Sequence, residues 1–319
     1  MSSAQDLARR RHYGDFYGVD PTDRRPDLPF IAVMGNCQAE SLRILLNSSG
    51  LVDSFRIPPV HEFTGEDVDR LRGILARADV LVTQPIRDDY RGLPLGTAQL
   101  AELLPPGAHT VTYPTLRWDG LMPYHAIVRD PADPSRNPPV VPYHDLRILA
   151  AAARGLDRPV ETHPSEEALR AAAGLSIGQL RAREERHGTV TVSDVLETAP
   201  VWHTINHPSN ATLAALAQRV LDHLVDDGVL DRHEGAVPQV VDPGRVLLAS
   251  VQTPLSPVVL DALGLDVMHA RRAWVVGGRT VPDEEVDEEH AAFYAEHPLV
   301  VETGMRKYAD LLTAWGWEE

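Results

Sequence analysis

One cysteine is the residue of this sequence best suited to covalent chemistry. Cys37 lies in the run Gly35-Asn36-Cys37-Gln38, directly after the apolar segment 30–34. A thiol can attack an acyl carbonyl once a base has taken its proton. The flanking Gly, Asn and Gln favour a functional role over that of a buried structural cysteine. We therefore consider Cys37 a candidate nucleophile.

The elements around Cys37 are predicted to be a buried strand and a helix. Residues 30–34 have the composition of a strand, and Leu42, Leu45 and Leu46 have helical spacing before a stop at Gly50. A helix N-terminus presents unpaired N–H groups and a partial positive charge, which favour a thiolate and bind anions. We expect this corner to lower the pKa of the thiol.

A histidine is the base expected beside such a thiol. Fourteen histidines are present. His207 is the first candidate, because Asn206-His207-Pro208 comes just before a predicted helix and Pro208 restrains the neighbouring backbone. His203 is the nearest competitor on the same segment.

Further strands and helices alternate along the first half of the chain. Strands are predicted at 54–57, 79–83 and 109–113, and helices at 64–77 and 97–104. This alternation predicts an α/β fold with an open, mostly parallel sheet flanked by helices. Three strand ends would then share one edge of the sheet, and they carry Cys37, Thr83-Gln84 and Tyr113. Ligands bind at that edge in open parallel sheets.

The remaining segments complete a three-part organisation. We expect an N-terminal surface arm at 1–28, an α/β catalytic domain at 29–230 and a largely helical C-terminal extension at 231–319. Residues 117–143 form a long loop that either binds a ligand or is a surface excursion.

The pattern also predicts smaller features of the chain. Further helices are predicted at 144–154, 165–187 and 210–227, and the charged end of the second, 181–186, is read as a solvated face. Gly277-Gly278 is typical of a hairpin turn.

Composition restricts the class of protein. The chain has 319 residues, 43% hydrophobic and 24% charged, which is ordinary for a soluble globular protein. The net charge of −16 argues against a nucleic-acid surface. The cationic side chains are arginines except for Lys307. We expect small-molecule partners, with the oligomeric state left open.

Several kinds of site and location are disfavoured. One cysteine permits no intrachain disulfide and no Cys-only zinc site. The sequence contains no secretory-signal pattern, no apolar run long enough to span a membrane, no dinucleotide fingerprint, no Walker A motif and no His-Glu-x-x-His. A cytoplasmic protein without a metal is the expectation.

Five segments occur in a characteristic order along the chain: Gly35-Asn36-Cys37-Gln38, Thr83-Gln84-Pro85-Ile86, the stretch from Tyr113 to Tyr124, Ser193-Asp194 and Thr204-Ile205-Asn206-His207-Pro208. They resemble the motifs of the WcbI family, capsular-polysaccharide biosynthesis proteins that bind coenzyme A and are regarded as acetyltransferases. The resemblance covers roughly residues 29–230 and leaves the tail from about 231 without a counterpart.

The resemblance implies a transferase that moves an acyl group from acyl-CoA to a hydroxyl or amine of a saccharide or other biosynthetic intermediate. It implies catalytic roles for Cys37 and His207. The residues it implies for substrate or CoA binding are Gly35, Asn36, Gln38, Thr83, Gln84, Tyr113, Arg117, Tyr124 and Asn206. Either Cys37 is acylated, the favoured route, or His207 activates the acceptor and Cys37 only lines the thiol end of CoA.

Two other functions stay open from the sequence. An SGNH-like hydrolase with cysteine in place of serine would use a late Asp-x-x-His motif, matched by Asp266 to His269 and by Asp287 to His290. Chance matches of this kind are expected in so acidic a chain. A non-catalytic CoA-binding module is the third possibility.

Overall fold

A computed structural model describes residues 3–19, 23–156, 158–160, 163–198, 201–231 and 238–317. The strands are β1 (Ile31–Met34), β2 (Val80–Thr83), β3 (His109–Thr112), β4 (His125–Ala126), β5 (His144–Asp145), β6 (Val251–Gln252), β7 (Ala273–Val276) and β8 (Arg279–Pro282). The helices are α1 (Ser3–His12), α2 (Gly14–Tyr17), α3 (Gln38–Ser48), α4 (Gly65–Leu75), α5 (Thr97–Ala101), α6 (Leu146–Ala153), α7 (Glu166–His187), α8 (Asn210–Asp226), α9 (Pro257–Ala262), α10 (Asp283–Glu296), α11 (Pro298–Lys307) and α12 (Ala309–Trp315).

The chain divides into two compact units, and each is interleaved in sequence. Unit 1 comprises Met1–Leu116, Leu180–Val195 and Asn210–Leu247. Unit 2 comprises Arg117–Gln179, Leu196–Ser209 and Leu248–Glu319.

Unit 1 is built on a three-stranded parallel sheet with the order β1-β2-β3. The register pairs Met34 with Thr83 and Thr83 with Thr112, so the three carboxyl ends lie level at one edge. All four residues of β1 and all four of β2 are buried, as expected for strands covered on both faces. The predicted α/β fold with a parallel sheet is confirmed.

Helices supply the apolar faces that cover this sheet. α3 and α8 pack against each other through leucine-rich faces. Thr64 and Asp67 form a capping box at the start of α4, which explains why that helix begins where it does. The N-terminal segment predicted as a surface arm instead forms α1 and α2 and buries Tyr13, Phe16 and Tyr17.

Unit 2 contains two small antiparallel sheets and most of the C-terminal helices. β4 pairs with β5, and the second sheet has the order β6-β7-β8. Gly277 and Gly278 have positive φ angles of 56° and 81° and connect β7 to β8, which confirms the predicted hairpin turn. The C-terminal region is largely helical, also as predicted, and buries Tyr294, Trp315 and Trp317.

Two local predictions are wrong. Residues 54–57 form no strand; Asp53 alone makes an isolated parallel bridge with Phe30. The charged end of α7 is not entirely solvated, because Glu184 is buried and accepts the backbone N–H groups of Val192 and Ser193 at 2.8 and 2.9 Å. Within the described residues, every helix is too short or too polar to cross a bilayer.

Candidate functional site

Cys37 occupies the corner between β1 and α3 in unit 1. It is the residue immediately before α3, and its backbone angles are already helical. The thiol is not part of a disulfide and is partly accessible to solvent. The predicted position of the cysteine, at a helix N-terminus on the carboxyl edge of a parallel sheet, is the one observed.

Hydrogen bonds from amide side chains hold this corner in place. The N–H of Asn36 donates to Gln84 Oε1 at 2.9 Å, and Gln84 Nε2 donates to Gln38 Oε1 at 3.1 Å. Gln38 Nε2 in turn donates to the carbonyl of Leu116 at 2.8 Å, and the N–H of Leu116 donates back to Gln38 Oε1 at 3.0 Å. The loops after all three strands are therefore joined through two buried glutamines.

The backbone at the end of β1 is held closely against the end of β3. The Tyr113 hydroxyl donates to the carbonyl of Met34 at 3.0 Å. A Cβ added to Gly35 would collide with that hydroxyl and lie 2.8 Å from Gln84 Oε1. Thr83 also turns inward, with its hydroxyl donating to the carbonyl of Gln84 at 3.0 Å. Only glycine fits at position 35, because the neighbouring groups are buried and hydrogen-bonded.

The electrostatic environment of the thiol differs from the prediction. Burial raises the pKa of Cys37, although the backbone N–H groups of Cys37 and Gln38 act in the opposite direction. Desolvation outweighs the helix terminus, so the expectation of a lowered thiol pKa is wrong. Burial, and then the charge of a Cys37 thiolate, also raise the pKa of Tyr113.

His207 lies in unit 2, in a tight turn closed by backbone hydrogen bonds. Its N–H donates to the carbonyl of Thr204 at 3.2 Å, and the N–H of His203 donates to the carbonyl of His207 at 3.0 Å. Tyr143 braces the turn, because its hydroxyl donates to Asn206 Oδ1 at 2.8 Å and its ring meets the His207 ring edge-on. The loop that carries the imidazole is thus held by backbone and side-chain hydrogen bonds.

The protonation state of His207 suits a proton acceptor. Burial, and then the nearby His203, lower the pKa of His207 to about 4. The ring is consequently neutral at pH 7 and can accept a proton there.

Two other predicted binding residues are engaged within unit 2. The Arg117 guanidinium donates to both carboxylate oxygens of Asp119, at 3.1 and 3.2 Å, and to the Tyr308 hydroxyl at 3.3 Å. Tyr124 stacks on Trp317, and burial raises the pKa of its hydroxyl to about 12. Both side chains order the segment 117–124.

The predicted site residues fall into two groups. Unit 1 brings together Gly35, Asn36, Cys37, Gln38, Thr83, Gln84 and Tyr113. Unit 2 holds Arg117, Tyr124, Asn206 and His207, and the N–H of Trp118 joins the two segments involved by donating to the carbonyl of Ile205 at 2.9 Å. The pairing of Cys37 with His207 stays a prediction.

The histidines required by the hydrolase hypothesis have other surroundings. His290 is fully buried, and its Nε2 lies 3.0 Å from the carbonyl oxygen of Pro139. His269 is exposed, while the Asp266 carboxylate accepts the N–H of Met268 at 2.9 Å. The Asp266 motif thus contains a helix cap, a common role for aspartate.

Sequence reasoning missed Leu116 and Tyr143 as supporting residues. Leu116 contributes only backbone groups, which leave no signature in a side-chain pattern. Tyr143 is the last residue of the loop 117–143, and its distance in sequence from Asn206 conceals the hydrogen bond between them. Among the described residues, no group of three or more His, Cys, Asp or Glu side chains could hold a metal ion.

Comparison with known proteins agrees with this architecture. The family model for the polysaccharide biosynthesis enzyme WcbI matches residues 30–225, which is more than half of the chain. The protein belongs to the WcbI family of polysaccharide biosynthesis enzymes.

A solved WcbI structure shares the fold. It has a TM-score of 0.73 and 19% sequence identity, covering 91% of this chain and 99% of its own. That protein is described as a novel polysaccharide biosynthesis enzyme, in its native form without a disulfide bond between CoA and a cysteine. No curated protein matches the sequence significantly.

Proposed function

We propose that this protein is a CoA-dependent acyltransferase, with acetyl as the expected acyl group, acting in polysaccharide biosynthesis. The acceptor is a hydroxyl or amine of a saccharide or related intermediate. Family membership supports a biosynthetic enzyme. The solved WcbI protein is described as its native form without a disulfide bond between CoA and a cysteine, which supports acyl-CoA as the donor. Cys37, as the single cysteine here, is the proposed counterpart of that cysteine.

The partly exposed thiol in the β1–α3 corner is the observation that carries this proposal. The thioester end of acyl-CoA needs a small pocket with N–H donors, and the N–H groups that influence the thiol are those of residues 37 and 38. Asn36 and Cys37 are partly accessible, whereas Gln38, Thr83, Gln84 and Tyr113 are buried. We assign the first pair to ligand contact and the other four to holding the corner.

The raised pKa of Cys37 bears on the choice between two routes. In the covalent route, His207 takes the thiol proton, sulfur attacks the thioester carbon, and the CoA thiolate leaves with that proton. Because burial raises the pKa of the Cys37 thiol, little thiolate is present at neutral pH to attack the thioester. We therefore favour direct transfer.

In the direct route, the acceptor attacks acyl-CoA without an acyl-enzyme. Neutral His207 takes the proton of the acceptor hydroxyl or amine as that group attacks the thioester carbon. The carbon–sulfur bond breaks, and the CoA thiolate leaves with the proton from His207. Cys37 then lines the pocket beside the CoA sulfur.

Ligand binding is the first test of this function. CoA and acetyl-CoA should raise the melting temperature, because a ligand bound only by the folded protein stabilises it. NAD, ATP and S-adenosylmethionine should give no shift. An unchanged melting temperature with every CoA species would contradict the assignment.

Activity then separates the routes. Acetyl-CoA consumption is measured against a pool of hydroxyl and amine compounds. His207→Ala should lose activity by at least about a hundredfold while still binding CoA, and the exposed control His269→Ala should stay within about tenfold. Cys37→Ala should retain transfer on the direct route; its complete inactivity, with an acetylated wild-type Cys37, would establish the covalent route. CoA binding without turnover would indicate a binding module.

A further inference from the structure

Unit 2 contains a cavity of about 680 Å³ that the proposed acyl transfer does not use. α6 and α10 provide most of its lining. This volume lies within the range of small-molecule sites, which is roughly 300–1,000 Å³. The cavity is therefore large enough to hold a small-molecule ligand.

The α10 wall is acidic in its first half and apolar in its second. Glu284, Asp287 and Glu288 line the cavity at the spacing of one helix face, followed by Ala291 and Tyr294 one and two turns later. The α6 wall is apolar, with Ile148 and alanines. A ligand lying along α10 would meet carboxylates at one end and hydrocarbon at the other.

Carboxylates outnumber cations among the groups that act on Asp287. Asp287 is influenced by three carboxylates, those of Asp283, Asp145 and Glu284, and by one cation, Arg147. Arg147 already donates to Asp145 at 2.6 Å and lies 3.5 Å from Asp283. Burial, with the neighbouring carboxylates, raises the pKa of Asp287 to about 7. Half-buried negative charge of this kind is stabilised by an added cation.

The buried histidines near Asp287 do not add a positive charge. His125, His144 and His290 have pKa values lowered by burial, so they are neutral at pH 7. The Tyr294 hydroxyl is hydrogen-bonded to His144 Nδ1 at 2.8 Å. Arg158 is the cation among the lining residues, and it is exposed.

We propose that this cavity binds an organic cation: a small molecule with a protonated amine and a compact apolar body. The amine lies against Asp287 and its neighbouring glutamates, and the apolar body lies against Ala291, Tyr294 and the α6 wall. A metal ion would leave the apolar half of the cavity unused, and an anion would be repelled by the carboxylates. The proposal goes beyond acyl transfer and does not depend on it.

Three matched probes test the charge requirement on the full-length protein. Phenethylamine carries the cation, 2-phenylethanol is its neutral analogue and phenylacetate its anionic one. Titration calorimetry at pH 7 should show one-to-one binding of the amine, at least about tenfold tighter than the alcohol, and no binding of phenylacetate.

Variants locate the site. Asp287→Asn should weaken amine binding by at least about tenfold, and Ala291→Phe should do the same by filling the cavity without removing charge. Glu302→Gln, an exposed carboxylate on α11, is the matched control and should leave the affinity unchanged. Melting curves of each variant verify folding.

Several results would overturn the proposal. They are the absence of amine binding at millimolar concentration, equal binding of the alcohol, and equal weakening by Glu302→Gln, which would indicate general attraction to an acidic protein. Full amine affinity in a folded Ala291→Phe protein would place the amine elsewhere.

Discussion

At the scale of single residues, two effects oppose each other at Cys37. The N–H groups of residues 37 and 38 favour a thiolate, and burial disfavours it. Burial determines the direction of the pKa shift, because the thiolate loses more favourable solvation on burial than the two N–H groups restore. The rule that a helix N-terminus lowers a thiol pKa, applied alone, therefore predicts the wrong sign for the pKa shift of Cys37.

The alkylation of Cys37 should follow the raised pKa. We expect the rate with iodoacetamide to rise with a midpoint above the ordinary thiol value of about 8.5. The measurement is a rate profile from pH 6 to 10 on the native protein, and the single cysteine makes the signal unambiguous. N-acetylcysteine and the urea-unfolded chain serve as references. A native midpoint below about 8 would mean that the helix terminus prevails.

The sequence was sufficient to locate the thiol but not to describe its surroundings. A lone cysteine after a buried strand is visible in the pattern, as are the amides that follow the neighbouring strands. The joining of Gln38 to the Leu116 backbone is not visible, because backbone groups are the same at every residue. The balance between burial and N–H groups depends on packing that only three-dimensional structure shows.

At the scale of elements, short apolar runs predict secondary structure least well. Residues 54–57 resemble a strand, yet Asp53 is the residue that pairs with Phe30, and residues 54–59 have no regular secondary structure. The two prolines that end this segment lack the N–H groups that a ladder needs. The longer periodic patterns, such as those of α4 and α8, were predicted to within a few residues.

Glu184 gives α7 a structural role that its charged sequence hides. Glu184→Ala should reduce the free energy of unfolding by about 2–4 kcal/mol, because it leaves the N–H groups of Val192 and Ser193 without their acceptor. Urea denaturation monitored by circular dichroism measures the change.

The next residue along α7 is the control for this experiment. Glu185 is exposed, so Glu185→Ala should change stability by less than about 0.5 kcal/mol. Equal effects of the two substitutions would mean that the Glu184 hydrogen bonds contribute little.

At the scale of the whole molecule, buried histidines make stability depend on pH. His125 and His144 both have pKa values lowered to about 4, with burial as the first cause. The folded state thus binds fewer protons than the unfolded state between pH 6.5 and 4. The two neutral rings contribute to the free energy of unfolding above about pH 6.5, and this contribution is lost as the pH falls toward 4.

A substitution at His125 should isolate this effect. In His125→Gln, the loss of unfolding free energy between pH 7 and pH 5 should be smaller than in the wild type by about 2 kcal/mol. Urea denaturation at the two pH values measures the difference, with the exposed His187→Gln as control.

The comparison with wild type is necessary because Asp287 acts in the opposite direction. The pKa of Asp287 is raised to about 7. Its contribution to the free energy of unfolding is therefore present at low pH and is lost as the pH rises through 7. An unchanged pH dependence in His125→Gln would mean that this ring is protonated in the folded protein at pH 5.

The single lysine has a consequence for proteolysis. Lys307 is the last residue of α11, and its ammonium donates to the carbonyl of Ile127 at 2.7 Å. A lysine-specific protease therefore has one peptide bond to cut, between α11 and α12, and that bond must leave its folded setting to enter the protease. Cleavage would release one short C-terminal peptide, so its rate reports local opening of the junction between α11 and α12 without any label.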